Sequence, residues 1–158
     1  MVGYILNKLH GWRFKYLTKK NSRSVHNFGG RISGDVVISY PENIYIGKNS
    51  YVNGGHLRAS KNNKISIGND CLISYNVNIR TDMHNYINKN ICINQQGHRY
   101  ADIIIEDDVW IGFGAQIMPG VTIKKGCVIG AGAIVTKSTE EYGVYVGVPA
   151  KLIKYREE

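Results

Sequence analysis

From Ile105 to Val135 an aliphatic residue returns at every sixth position: Ile105, Ile111, Ile117, Ile123, Ile129 and Val135. Four positions on in each hexad runs a second row of small or β-branched residues, Val109, Ala115, Val121, Cys127, Ala133 and Thr139. Glycines at 112, 114, 120, 126, 130 and 132 fill much of the space between the rows. A period of six is neither that of a helix nor that of an ordinary alternating strand. It is the signature of a parallel β-helix, in which each hexad makes one short strand and one bend. The apolar pair points inward, and Gly, Asn and Asp permit the bends. A run of β-hairpins would alternate at period two, and these residues do not.

The repeat recurs upstream with breaks. Ile67, Ile73 and Ile79 form one run, with Cys71, Val77 and Met83 as its second row. Ile46 and Val52 form another, and Ile32 and Ile38 begin a first turn, out of register with Ile46. Three hexads close one triangular coil, so the visible hexads predict about four coils. Residues 57–64 interrupt the pattern briefly, and residues 84–102 (HNYINKNICINQQGHRYAD) interrupt it at length. A long loop leaving a rigid scaffold points to function.

Three segments are expected. Residues 1–31 hold a helical cap and a connector, 32–139 the β-helix, and 140–158 a C-terminal extension that Gly147 and Pro149 separate from the last coil. Within 3–20, Ile5, Leu9, Trp12 and Tyr16 lie on one helical stripe, ringed by Lys8, Arg13, Lys15, Lys19 and Lys20. Three readings of this helix stay open: a cover for the open end of the coil stack, a basic amphipathic helix on an anionic membrane surface, or a partly mobile leader.

The length of 158 residues fits one domain, and the net charge of +8 favours an anionic ligand or surface. The basic residues do not interleave with aromatics as in a nucleic-acid site, so a phosphate-bearing small molecule is preferred to nucleic acid. The three cysteines lie apart, without zinc spacing. Cys71 and Cys127 occupy inward positions, where Cys packs as a small hydrophobe, and Cys92 lies in the loop. Lys8, Arg13 and Lys15 break any apolar run near the start, no stretch is long enough to span a bilayer, and a reducing cytoplasm is expected.

The segments IGNDCLISYNVNIRTDMH (67–84), IEDDVWIGFGAQIMPGVTIKKGCVIGAGAIVTK (105–137) and GVPAKLIK (147–154) resemble those of the left-handed β-helix acyltransferases with hexapeptide repeats. The nearest members are the maltose and galactoside O-acetyltransferases and the capsule and lipopolysaccharide acetyltransferases. The resemblance covers roughly residues 32–154. It alone implies the left-handed turn, since crossovers between parallel strands are nearly always right-handed. It further implies a homotrimer with acetyl-CoA in a groove between neighbours and direct transfer to an acceptor hydroxyl.

In the family a histidine deprotonates that hydroxyl. The matching residue is His84, in Thr81-Asp82-Met83-His84. A neutral imidazole suits that step near physiological pH. Asn53, in Tyr51-Val52-Asn53, matches an asparagine that contacts the acceptor or supports the site, and is equally a bend residue. Asp82 can orient the ring, bind a sugar, or simply turn the chain. His98 and Arg99 in the loop can touch an acceptor or a neighbouring chain, while His10, His26 and His56 match nothing. For the donor, the resemblance points to Trp110 along the pantetheine arm, to Ala131 between Gly130 and Gly132 for close backbone approach, and to Thr136, Lys137, Lys151 and Lys154, with the lysines as point charges for phosphate. Each has a plainer reading as a corner residue or a solvated cation.

Three departures weigh against a maltose or galactoside acceptor. Asn85 stands where those members have proline, Ala59-Ser60-Lys61 replaces an acidic segment, and their usual long N-terminal domain has no counterpart in these residues. The expected activity is therefore acetyl-CoA-dependent O-acetylation of a sugar hydroxyl in surface-polysaccharide synthesis. The alternatives are N-acetylation of an amino-sugar nucleotide and a non-catalytic β-helix scaffold. A zinc-dependent carbonic anhydrase on the same coil would need three histidines at a spacing this chain does not have.

Overall fold

The computed structural model describes residues 2–157, with the side chains of 7–157. The hexads form a triangular prism of three parallel sheets, visited in the order A, B, C by each coil. Sheet A stacks His26–Asn27, Ile44–Ile46, Ile65–Ile67, Ile103–Ile105 and Thr122–Ile123. Sheet B stacks Arg31–Ile32, Tyr51–Val52, Leu72–Ile73, Trp110–Ile111, Val128–Ile129 and Gly143–Val146, and Lys151–Tyr155 returns antiparallel along its edge. Sheet C stacks Val36–Ser39, Gly55–Arg58, Val77–Arg80, Gln116–Ile117 and Ile134–Val135.

The prism thus has five coils where the hexad count predicts four. The reason is the lower half. After Ser39 the chain inserts a 3-10 turn at Pro41–Asn43 before sheet A resumes, and after Arg58 it inserts residues 59–64. Both insertions hide the sixfold spacing yet leave the rungs in register, as Gly55–Arg58 on Val77–Arg80 demonstrates. The third insertion, residues 81–102, leaves from the same place. All three depart from the edge where sheet C hands over to sheet A, so that edge carries the irregular structure of the molecule.

The core is the pair of rows read from the sequence. Ile105, Ile111, Ile117, Ile123, Ile129 and Val135 are buried, as are Val109, Ala115, Val121, Cys127, Ala133 and Thr139. Met83 departs from the pattern: it is only half-buried, because the chain has already left the coil at Thr81. At the edge between sheets A and B one residue per coil adopts a left-handed conformation: Asn49, Asp70, Asp108, Gly126 and Tyr142. Asn and Asp accept that geometry because their short polar side chains bond locally. Here they also bond between coils, with Asn49 Nδ2 donating to Asp70 Oδ1 at 3.0 Å.

Helix α1 (Val2–Ser24) extends beyond the expected 3–20 and lies across the first coil. Its C-terminal half does the covering. Thr18 Oγ1 accepts from the Gly34 N–H at 2.9 Å, Asn21 Nδ2 donates to the carbonyls of Ser33 and Val36, and the Ser22 hydroxyl accepts from the Ile32 N–H at 3.0 Å. These side chains satisfy backbone groups that have no further coil to bond, which is what an end cover must do. The expected apolar stripe takes no part in this. Leu9, Trp12 and Tyr16 are 56%, 66% and 67% exposed, and the side chain of Ile5 lies outside the described residues.

Candidate active site

The long insertion folds as a β-hairpin. Asp82–His84 pairs antiparallel with His98–Tyr100, placing His84 opposite His98. The hairpin is anchored where it leaves the prism: Thr81 is fully buried, and its hydroxyl shares a hydrogen bond with that of buried Ser60. The connecting loop is tied by Gln96. Its side-chain amide donates to the carbonyls of Asn88 and Ile91 at 2.9 and 2.8 Å and accepts from the Asn88 N–H at 3.1 Å. The tip still presents Tyr86, Ile87 and Ile93 to solvent, Ile87 being 81% exposed.

Side chains alternate along the hairpin, so Asp82, His84, His98 and Tyr100 share one face. The imidazoles of His84 and His98 pack with ring centres 4.2 Å apart, and Tyr100 follows His98 at 6.0 Å. This face borders a cleft of about 590 Å³ whose walls include Asp82, His98, Tyr100, Arg58 and Lys61. His84 stands next to that cleft through His98, exposed and outside the core. Asp82 is held by Arg80 (3.4 Å). Arg99 falls on the opposite face of the hairpin, level with Met83.

The sequence did not single out Tyr40, Arg58, Lys61 and Tyr100, which also line the cleft. Arg58 and Lys61 lie within the short break at 57–64, and that break, with the Ala59-Ser60-Lys61 departure inside it, was the available signal. Neither cation forms an ion pair among the described residues.

The remaining expected site residues lie elsewhere on the prism. Asn53 begins the bend from sheet B to sheet C, where its side-chain Oδ1 accepts from the Arg31 guanidinium at 3.5 Å. Ala131 is exposed at the same edge, three rungs further along the stack in the fifth coil. Gly130 beside it is required by packing, since a Cβ there would meet Val146 Cγ1 at 2.8 Å, whereas Gly132 faces open space in a positive-φ turn. Trp110 is on the outer face of sheet B, 53% exposed, in a ladder with Tyr51, Leu72, Val128 and Val144. Lys154 pairs with Val144 at the end of that ladder, and Lys151 with Val146. Thr136 and Lys137 are exposed on the C-to-A edge, the edge of His84.

The residues therefore form two groups. His84, Asp82, His98, Thr136 and Lys137 belong to one edge, and Asn53, Ala131 and Trp110 to another edge and face. Between Asn53 and the hairpin root lies the width of sheet C, five extended residues or about 16 Å. One chain does not bring the two groups to a common atom.

A family model described as bacterial transferase hexapeptide (six repeats) matches residues 102–137. The chain is 39% identical over 123 residues to the galactoside O-acetyltransferase of Escherichia coli (strain K12), an overlap of 75% of this chain and 57% of that protein. It thus spans little more than half of that relative. It is 36% identical over 142 residues to a putative acetyltransferase of Saccharomyces cerevisiae, covering 85% of this chain and 70% of that protein. Among solved structures, a galactoside acetyltransferase in complex with coenzyme A superposes with a TM-score of 0.72 at 32% identity, over 85% of this chain and 67% of that one.

Proposed function

The chain belongs to the hexapeptide-repeat transferase family, and from that premise we propose that it is an acetyl-CoA-dependent O-acetyltransferase acting on a sugar hydroxyl in surface-polysaccharide synthesis. The observation that carries the reading is the His84 imidazole, exposed on a hairpin rooted in a rigid coil and packed against His98 at the border of the cleft. Acetyl-CoA would supply the acyl group as a thioester. The neutral His84 ring takes the proton of the acceptor hydroxyl as that oxygen forms its bond to the acyl carbon. The carbon–sulfur bond breaks, and the proton on the ring passes to the departing thiolate. His98 positions the His84 ring by packing, and Asp82 and Tyr100 face the acceptor side.

The residues present suit the donor. Lys137, Lys151 and Lys154 are exposed cations outside any ion pair among the described residues, and Trp110 offers an exposed aromatic face. We place these on two neighbouring chains of a homotrimer in the cytoplasm. Heterologous contacts that close by rotation give a ring. Here the apolar loop tip at Tyr86, Ile87 and Ile93 and the exposed ladder through Leu72 and Trp110 are the surfaces that call for a partner.

Arg58 and Lys61 favour one second reading. Two cations in the acceptor cleft, outside any ion pair among the described residues, suit the diphosphate of an amino-sugar nucleotide, whose amine the same base would serve.

Labelled acetyl-CoA incubated with a panel of sugars, glycans and amino-sugar nucleotides tests these readings. The expected product is an alkali-labile ester, and His84→Ala should lower kcat by about 10²–10⁴-fold. An alkali-stable amide would shift the assignment to N-acetylation. Absence of CoA binding would leave a scaffold.

A further inference from the structure

We infer that helix α1 carries a docking surface for an anionic lipid bilayer, separate from the acetyl-transfer site. Its first warrant is the division of the helix between two faces. At about 100° per residue, Thr18, Asn21 and Ser22 fall on one side, and these side chains bond the first coil. The opposite side carries Leu9, Trp12 and Tyr16 along its centre, with Lys19, Lys20 and Arg23 among and beside them and Lys8, Arg13 and Lys15 at the margins. All nine are exposed. The covering role leaves this face unexplained, because the end of the prism is already satisfied without it.

The second warrant is charge. Lys8, Arg13, Lys15, Lys19, Lys20, Arg23 and Arg31 precede the first acidic residue of the chain, Asp35. None of these cations is in an ion pair among the described residues. A second copy of this face is a poor occupant, since it would bring identical cation clusters together. An anionic headgroup layer satisfies both components: the lysine and arginine heads stay with the lipid phosphates while their stems, Leu9 and the two aromatic rings enter the interface. The helix is not apolar enough to cross a bilayer, so the contact is parallel to the surface. Each cation near such a surface contributes about a fivefold gain in partition.

Vesicle flotation of the full chain tests this. Phosphatidylcholine vesicles are compared with vesicles holding about 30% phosphatidylglycerol, at low and high salt. The chain should float with the anionic vesicles only, and salt should release it. Lys19→Gln/Lys20→Gln/Arg23→Gln should weaken partition on the order of a hundredfold, and Trp12→Ser/Tyr16→Ser should also lower it. Thermal melting of both variants checks that the cover is intact, because Thr18, Asn21 and Ser22 are unchanged. The inference fails if the parent chain stays in the soluble fraction with anionic vesicles, if it binds neutral vesicles equally, or if properly folded variants float like the parent. It fails equally if Trp12→Ser/Tyr16→Ser reduces the assembly mass in light scattering, since the face would then be an interface between copies.

Discussion

If the site is shared between neighbours, two differently crippled chains should repair one another. The perturbation is a pair of variants, His84→Ala and Asn53→Ala. In one chain these residues are separated by the width of sheet C, because Gly55–Arg58 lies in register on Val77–Arg80 and the hairpin departs only after that strand. Five extended residues span about 16 Å, and His84 stands four residues beyond the end of that strand, so an imidazole and an asparagine amide that must meet one hydroxyl do not close the gap even at full stretch. A productive site then takes His84 from one chain and Asn53 from the next. In trimers assembled at random from equal amounts of the two variants, each residue is intact at a given site with probability one half, so about one quarter of the sites are whole.

The assay is steady-state acetyl transfer by mixed trimers, made by co-expressing differently tagged chains and purifying through both tags. Activity should rise from the residual level of either parent to about a quarter of the wild-type rate, and somewhat above it after double-tag selection removes the homotrimers. If the mixture remains at the parental level although mixed trimers are present, the site lies within one chain and the two-edge argument is wrong. If Asn53→Ala alone keeps most of the wild-type rate, Asn53 is a bend residue and leaves the site.

Other expectations follow from packing and ionisation. Gly68→Ala should destabilise the coil by about 1–3 kcal/mol, because its Cβ would meet the backbone carbonyl carbon of Glu106 at 2.8 Å. Calorimetry should show a fall of several degrees, and an unchanged melting temperature would contradict that contact. Burial pushes the thiols of Cys71 and Cys127 up in pKa, so a thiol reagent should label exposed Cys92 alone in the native chain and all three thiols in denaturant. Fast labelling of a second native thiol would mean that the coil opens. The hydrogen bond from Lys124 holds the Glu106 carboxyl below its usual range. A depressed carboxylate favours the folded state above its unfolded pKa of about 4.3, and this contribution fades as the pH falls through the lower folded value. Since the pair is largely solvated, the loss should be small, and Glu106→Gln should remove it from the acid limb of a stability profile.

The legible part of this molecule is the part in which one position repeats one environment. Ile105 to Val135 could be read because every sixth residue meets the same inward site, and all six proved buried. The lower coils were harder for the same reason. Residues 40–43 and 59–64 displace the spacing without displacing the rungs, so counting hexads missed a coil that hydrogen bonding keeps. Local patterning placed α1 but not its orientation. Its apolar stripe left an end cover and a membrane contact both open, and the orphan carbonyls and amides of the first coil select Thr18, Asn21 and Ser22 rather than the stripe. At the end of a solenoid, unsatisfied backbone costs more than a few exposed aromatics.

The candidate site follows a different logic. His84 was found through a motif, but its packing against His98 depends on antiparallel pairing across a thirteen-residue loop, and no local spacing encodes that register. Arg58 and Lys61 reached the cleft because every insertion leaves from the same edge, a property of the stacked coil rather than of any hexad. That common edge also explains why one fold can serve different acceptors. The rungs hold the ladder on sheet B and the C-to-A edge in a fixed frame, while insertions at that edge alter the lining of the cleft without disturbing a rung. Acceptor choice in this chain should therefore respond to substitutions at Arg58, Lys61 and Tyr100, and donor affinity to those at Trp110 and Lys137.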